Sequence, residues 1–139
     1  MAQQDAADGL AVWKRAPCQE CHGTFADGRK DDPGGSEFPD GPDLRRTRLD
    51  RSAVLETVRC GRPGTDMPSF AAGAYAESSC YGLPPGPVPA DVAQLTELSP
   101  RDIEALVDWL FAAIIGKGPA TRAECIAYFG NALFCTEFR

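Results

Sequence analysis

The strongest constraint on the fold is the run Cys18-Gln19-Glu20-Cys21-His22. Its two thiols stand three positions apart, close enough to share one helical turn, and an imidazole follows the second at once. A redox dithiol of this spacing belongs to a βαβ setting, and no alternating strand pattern follows here. Half of a zinc site would need a second pair of ligands at close spacing. The remaining cysteines, Cys60, Cys80, Cys125 and Cys135, are separated by 20, 45 and 10 positions, so none forms that second pair. A structural cysteine pair would not call for a histidine directly after it.

Cys-x-x-Cys-His is the attachment sequence of a covalently bound haem, and that chemistry explains the spacing. Both thiols reach the vinyl groups of one porphyrin while the imidazole comes up under the iron. The expected cofactor is therefore one haem c, joined through Cys18 and Cys21 with His22 as an iron ligand. His22 is the only histidine, which excludes bis-histidine ligation, a second haem of the same kind, and a catalytic triad that leaves His22 on iron. The other axial ligand must be something else. Of the two methionines, Met1 lies at the terminus, which leaves Met67.

Met67 stands in Gly61-Arg62-Pro63-Gly64-Thr65-Asp66-Met67-Pro68-Ser69-Phe70, a turn-rich stretch with neither helical nor strand periodicity. Glycine and proline fix an irregular path at low entropy cost, so such a loop can hold a thioether against a metal. The plain alternative, a methionine filling a core gap, fits poorly between Asp66 and Pro68 in a polar turn. A soft thioether stabilises ferrous iron and raises its potential.

In these residues the chain resembles the class I c-type cytochromes, a mostly helical monohaem family. The resemblance rests on Cys18, Cys21 and His22, then Gly41-Pro42-Asp43-Leu44, then Met67-Pro68-x-Phe70, then a closing helix with Leu106 and Trp109. It spans roughly residues 6 to 116 in the family's order. The pentapeptide is specific, whereas Gly-Pro-Asp-Leu alone would be weak. The resemblance implies that the Pro42 carbonyl accepts a hydrogen bond from His22, orienting the ring and making it a better donor. It also implies that Gly9 and Trp13 let the first helix cross the last one closely; an ordinary amphipathic helix with one aromatic is the alternative.

The expected fold is all-α and cytochrome c-like, a single domain over residues 1–139 built around one covalent haem. Its haem-binding core would run over 5–116 with an insertion at about 71–98, and residues 117–139 would form a C-terminal helical extension. The 12 prolines and 14 glycines argue for long loops between few helices. Helices are expected over 5–16, from Asp50 or Ser52 to about Arg59, from Ser99 to Gly116, and from the capping box Thr121-Arg122-Ala123-Glu124. Turn signals fill 23–41, including Asp31-Asp32-Pro33-Gly34-Gly35 and Pro39-Asp40-Gly41, a stretch that lies over the haem or carries part of a surface. Leu83-Pro84-Pro85-Gly86-Pro87 makes the insertion stiff and extended. Nearest-neighbour pairing gives disulfides Cys60–Cys80 and Cys125–Cys135 on loop length alone, one of three connectivities that four cysteines allow.

Arg45, Arg46, Arg48 and Arg51 form a basic cluster that is either a solvated face or the source of a partner for a haem propionate. The formal charge of −6 has the wrong sign for nucleic acid. No run of about 18 apolar residues is present to span a membrane. The start of the chain does not resemble a signal peptide, and thioether attachment with four spare cysteines points to an oxidising compartment. The expectation is thus a periplasmic protein whose export signal has been removed. With both axial positions filled, no site is open to substrate, and single-electron transfer is the reasonable use. The protein would be an electron carrier rather than an enzyme, with a periplasmic dehydrogenase as donor and a cytochrome or terminal oxidase as acceptor, as a monomer or as a subunit of a dehydrogenase complex. A tightly bound haem subunit and a haem-based sensor with a labile sixth ligand are the alternatives, and a zinc module is the outside case.

Overall fold

The computed structural model describes residues 2–28, 40–77 and 80–138. Its elements run α1 (Ala2–Arg15), α2 (Gln19–His22), α3 (Arg51–Cys60), β1 (Ser69–Ala71), α4 (Ala74–Glu77), β2 (Gln94–Leu98), α5 (Pro100–Trp109) and α6 (Arg122–Phe129). Single 3-10 turns cover Leu44–Arg46 and Ala132–Cys135, and a π-helical turn covers Leu110–Ile114. The chain forms two compact units, each assembled from two separate stretches: Met1–Ala16 with Arg48–Trp109, and Pro17–Thr47 with Leu110–Arg139. The turn signals at 31–35 and Pro39 lie outside the described residues.

In the first unit α1 lies against α5 at Gly9. A Cβ there would stand 2.2 Å from Trp109 Cβ and 2.4 Å from the Ala105 carbonyl oxygen, so only glycine permits this approach. Trp13, 1% exposed, meets Trp109 with ring centroids 5.4 Å apart, and Ile103, Leu106 and Val107 complete the buried face of α5. Ser99 and Asp102 cap α5 reciprocally, the Asp102 amide donating to Ser99 Oγ at 3.1 Å and the Ser99 amide to Asp102 Oδ2 at 3.4 Å. Asp50 caps α3 by accepting from the Ala53 amide at 2.9 Å, and Val54 and Val58 turn inward. Gly61, at φ 68°, ends that helix. Arg51 ties α3 to α5 through Glu104 and Asp108, each at 2.6 Å.

Residues 71–98 correct the expectation of helices and loops alone. β2 pairs in parallel with β1, in the register Ser69↔Gln94 and Ala71↔Leu98. The fold is thus mostly helical with a small two-stranded sheet. Three and five residues are too few for strand periodicity to register, and β2 gains its order from pairing rather than from sequence alternation. The rest of the insertion folds back on the end of α3. Cys80 joins Cys60 in a disulfide, and Ala74, Tyr75 and Val92 bury themselves around that bridge.

The second unit holds α2, α6 and the turns at 44–46, 110–114 and 132–135. The regular α-helix expected to run to Gly116 ends at Trp109 and continues as a π turn, with the Ile115 amide on Leu110 O at 2.7 Å. Cys125–Cys135 closes the C-terminal segment on itself. Phe25 is held edge-on by Phe138 and Tyr128, with centroids 5.4 and 5.9 Å away, and Phe129 stands at 6.3 Å.

Arg45 departs from both readings of the basic cluster. Its side chain is 3% exposed, and it spends its donors inside this unit: Nε on Gly118 O at 2.6 Å, Nη1 on Phe25 O at 3.0 Å, and Nη2 on both Glu124 oxygens at 2.9 and 2.8 Å. Thr121 caps α6 as expected, accepting from the Glu124 amide at 3.2 Å, but the Glu124 carboxylate serves Arg45. Of the other three arginines, Arg46 and Arg48 face solvent and Arg51 joins α3 to α5.

Candidate haem site

Cys18 stands just before α2, a single turn that ends on His22. The His22 amide donates to Cys18 O at 3.0 Å and the Cys21 amide to the same oxygen at 3.3 Å, so both thiols and the imidazole come off one tight turn. The two disulfides account for Cys60, Cys80, Cys125 and Cys135, which leaves Cys18 and Cys21 outside both bridges. A four-cysteine zinc cage is therefore unavailable. Among the described residues no group of three or more His, Cys, Asp or Glu side chains is placed to hold a metal ion. Burial pushes the Cys18 thiol up to about 12, keeping it protonated and apolar at neutral pH.

His22 Nδ1 lies 2.9 Å from the Pro42 carbonyl oxygen. A carbonyl only accepts, so Nδ1 carries the proton and Nε2 keeps its lone pair, the tautomer a metal needs. Burial lowers the imidazole pKa and the Pro42 contact raises it; the net effect is downward, so the ring is neutral. Space fixes the ring as well. A Cβ on Gly41 would stand 2.8 Å from His22 Nδ1 and 2.9 Å from Cε1, so the backbone reaches the imidazole only because residue 41 is glycine. The Gly41 amide donates to Cys21 O at 2.6 Å and the Leu44 amide to Ala26 O at 2.8 Å, pinning the chain on either side of Pro42. The chemistry of this set fits a covalently attached haem: two thiols for thioethers and one nitrogen lone pair held in a fixed direction.

Met67 belongs to the other unit. Its loop is closed by the Arg62 amide on Met67 O at 3.1 Å and by the Thr65 hydroxyl, which donates to Arg62 O at 2.7 Å and accepts from the Met67 amide at 3.2 Å. The insertion supports it from outside. The Gly64 amide donates to Asp91 O at 3.1 Å, the Ser69 amide to Ala93 O at 2.8 Å, and the Ser69 hydroxyl to Arg59 O at 2.8 Å. Tyr75 donates its phenol to Cys60 O at 2.7 Å, and the Tyr81 phenol reaches Gly61 O. Gly61 is again obligatory, because a Cβ there would stand 2.7 Å from Pro68 C and Ser69 N and 2.8 Å from Met67 O. Met67 itself is partly buried, and Pro68, Ser69 and Phe70 are buried behind it.

Of the residues singled out from sequence, Cys18, Cys21, His22 and Pro42 are brought together. Sequence reasoning missed the parts of Arg45, Phe25 and Glu124 in one unit, and of Tyr75, Tyr81 and Asp91 in the other. No periodicity marks such residues, since each acts on a partner distant in sequence.

A mostly helical fold that presents two thiols and an oriented imidazole on one turn defines the chain as a c-type cytochrome, an electron-transfer protein with covalently bound haem c. Residues 4–78 match the family model described as cytochrome c oxidase, cbb3-type, subunit III, and the chain belongs to that family. The match includes Cys18, Cys21, His22, Pro42 and Met67 and ends before β2. No curated protein and no solved structure matches the chain. Among the described residues no helix is long and apolar enough to cross a membrane.

Proposed function

We propose that this protein is a monohaem, class I-type cytochrome c in which Cys18 and Cys21 hold the haem and His22 and Met67 occupy the two axial positions. Residues 1–139 serve it as a single cytochrome c domain, moving single electrons between a periplasmic dehydrogenase and a downstream cytochrome or terminal oxidase. The observation that carries this reading is the hydrogen bond from His22 Nδ1 to Pro42 O, which presents Nε2 as a ready donor. When bound, haem c supplies a one-electron iron couple. The chain's own part is to hold its ligands still, so that little rearrangement accompanies the change of oxidation state. Gly41 and Pro42 do this for His22, and the loop closed by Arg62, Thr65 and the insertion does it for Met67.

The periplasmic assignment is supported by the disulfides, which persist in oxidising compartments. The net charge of −6 favours partners with a basic face. A second reading, a haem subunit held permanently in a larger oxidoreductase, is favoured by exposed apolar side chains on the C-terminal segment, where Leu133 is 78% and Phe134 66% exposed. The test is the optical spectrum of the oxidised and reduced protein. A sulfur-to-ferric-iron band at the red edge of the visible that disappears in Met67→Ala supports the His/Met carrier. Haem without that band sinks Met67 as ligand and favours a sensor. Co-purification of a stoichiometric larger subunit decides for the second reading.

A further inference from the structure

We infer that the C-terminal segment, locked by Cys125–Cys135 and clasped on Arg45, is a positioning device for the His22–Pro42 hydrogen bond and thereby sets the potential of the haem. The inference rests on the proposed role of His22 as iron ligand.

The connection is continuous. Pro42 lies between two pins, the Gly41 amide on Cys21 O at 2.6 Å and the Leu44 amide on Ala26 O at 2.8 Å. The second pin holds only if the turn at 23–28 is itself fixed. Ala26 is wholly buried at φ 61°, a conformation that alanine takes only under outside constraint. The constraint lies next to it. Phe25 has its carbonyl on Arg45 Nη1 at 3.0 Å and its ring against Phe138 and Tyr128, while the Gly28 amide closes back on His22 O at 2.7 Å. Arg45 follows Leu44 directly, and its own carbonyl accepts the Gly116 amide at 3.0 Å. Both chain segments that frame Pro42 O are thus fastened to residues 116–138.

A buried guanidinium makes this clasp specific rather than a generic contact. Arg45 needs a counter-charge and acceptors for its whole fork, and Glu124, Gly118 and Phe25 supply them from three directions. Neither lysine nor glutamine can complete that set. Loosening it frees the 23–28 turn, lengthens the His22–Pro42 bond and makes the imidazole a weaker donor. Ferric iron then loses more stabilisation than ferrous, and the potential rises.

The test uses the haem-loaded full chain. Glu124→Gln should speed exchange of the His22 Nδ1 proton in the reduced protein by about two- to tenfold, the population change that goes with weakening one hydrogen bond. The midpoint potential should rise while the Met67 charge-transfer band stays in place. Arg45→Lys, which keeps the charge but loses the fork to Gly118 and Phe25, should show a change of the same sign at least as large. Leu133→Ser, on the exposed end of the same segment, should change neither quantity. Unchanged proton exchange and potential in a folded Glu124→Gln protein overturn the clasp. If both clasp variants fail to fold, amide exchange on the unaltered protein decides. Gly41 and Leu44 amides should open together with Gly116, and a Gly116 amide that opens far sooner refutes the coupling. An unaltered protein without a histidine-ligand signature instead sinks the reading of His22, so the two failures are distinct.

Discussion

Removing the Cys60–Cys80 bridge tests whether the insertion holds the methionine loop. The bridge closes a loop of 20 positions. In the chain-entropy description such a loop contributes about 3 kcal/mol. The bridge's neighbours limit how much of this reaches Met67: the Tyr75 phenol on Cys60 O, the Tyr81 phenol on Gly61 O and the Ser69 amide on Ala93 O all remain in Cys60→Ala/Cys80→Ala. Concentrated wholly in opening of the loop, the loss would raise the open population by about a hundredfold, at 1.4 kcal/mol per factor of ten. Those three hydrogen bonds hold part of the loop without the bridge, so the expected rise is severalfold or more, with about a hundredfold as its ceiling. With Met67 as the proposed iron ligand, imidazole binding to the ferric protein reads this directly, because the incoming ligand would have to wait for Met67 to leave. The comparison is Cys125→Ala/Cys135→Ala, whose shorter closure of 10 positions belongs to the other unit and lowers global stability by about 0.6 kcal/mol less. Equal imidazole rates in the two double variants would refute the support assigned to the insertion, whatever urea unfolding shows.

Other outcomes follow from close approaches and buried acceptors. Gly9→Ala should destabilise by about 1–3 kcal/mol in urea unfolding, although alanine ordinarily favours a helix by about 1 kcal/mol, because its Cβ would overlap Trp109 and Ala105. Gly41→Ala should cost a similar amount, about 1–3 kcal/mol, and should also disturb the His22 ring resonances in NMR, since the new methyl would press on Nδ1. Tyr75→Phe leaves the Cys60 carbonyl without the phenol and should lose about 1–3 kcal/mol; denaturant unfolding checks it. Glu124→Ala strands the buried Arg45 guanidinium and should be the most damaging surface-adjacent change, at about 3–5 kcal/mol, seen as a large fall in the urea midpoint.

The haem attachment turn and the caps of α3, α5 and α6 were legible in the sequence because each depends on residues close together; the close approach at Gly9 came only from the family resemblance, and loop length alone favoured the two disulfide pairings that the structure forms. The strand pairing was not, since Gln94–Leu98 carries no alternation and owes its order to β1, 23 positions earlier by the Ala71–Gln94 spacing. The fate of Arg45 was equally hidden. Four arginines close together read as a surface, and only the long-range placement of Gly118 and Glu124 turns one of them inward. The end of α5 as a π turn reflects a shift in backbone pairing that side-chain spacing does not encode.

The interleaving of the two units has a consequence for the order in which the protein is made. Every residue of the first unit has been synthesised once Trp109 is in place, whereas the segment bearing Cys18, Cys21 and His22 must wait for Leu110 onward before its own unit can close. The attachment thiols therefore precede most of the first unit in the chain, yet their own unit is completed only by residues that follow it. That interval is a window for covalent chemistry, and it shuts when the segment after Trp109 closes the second unit.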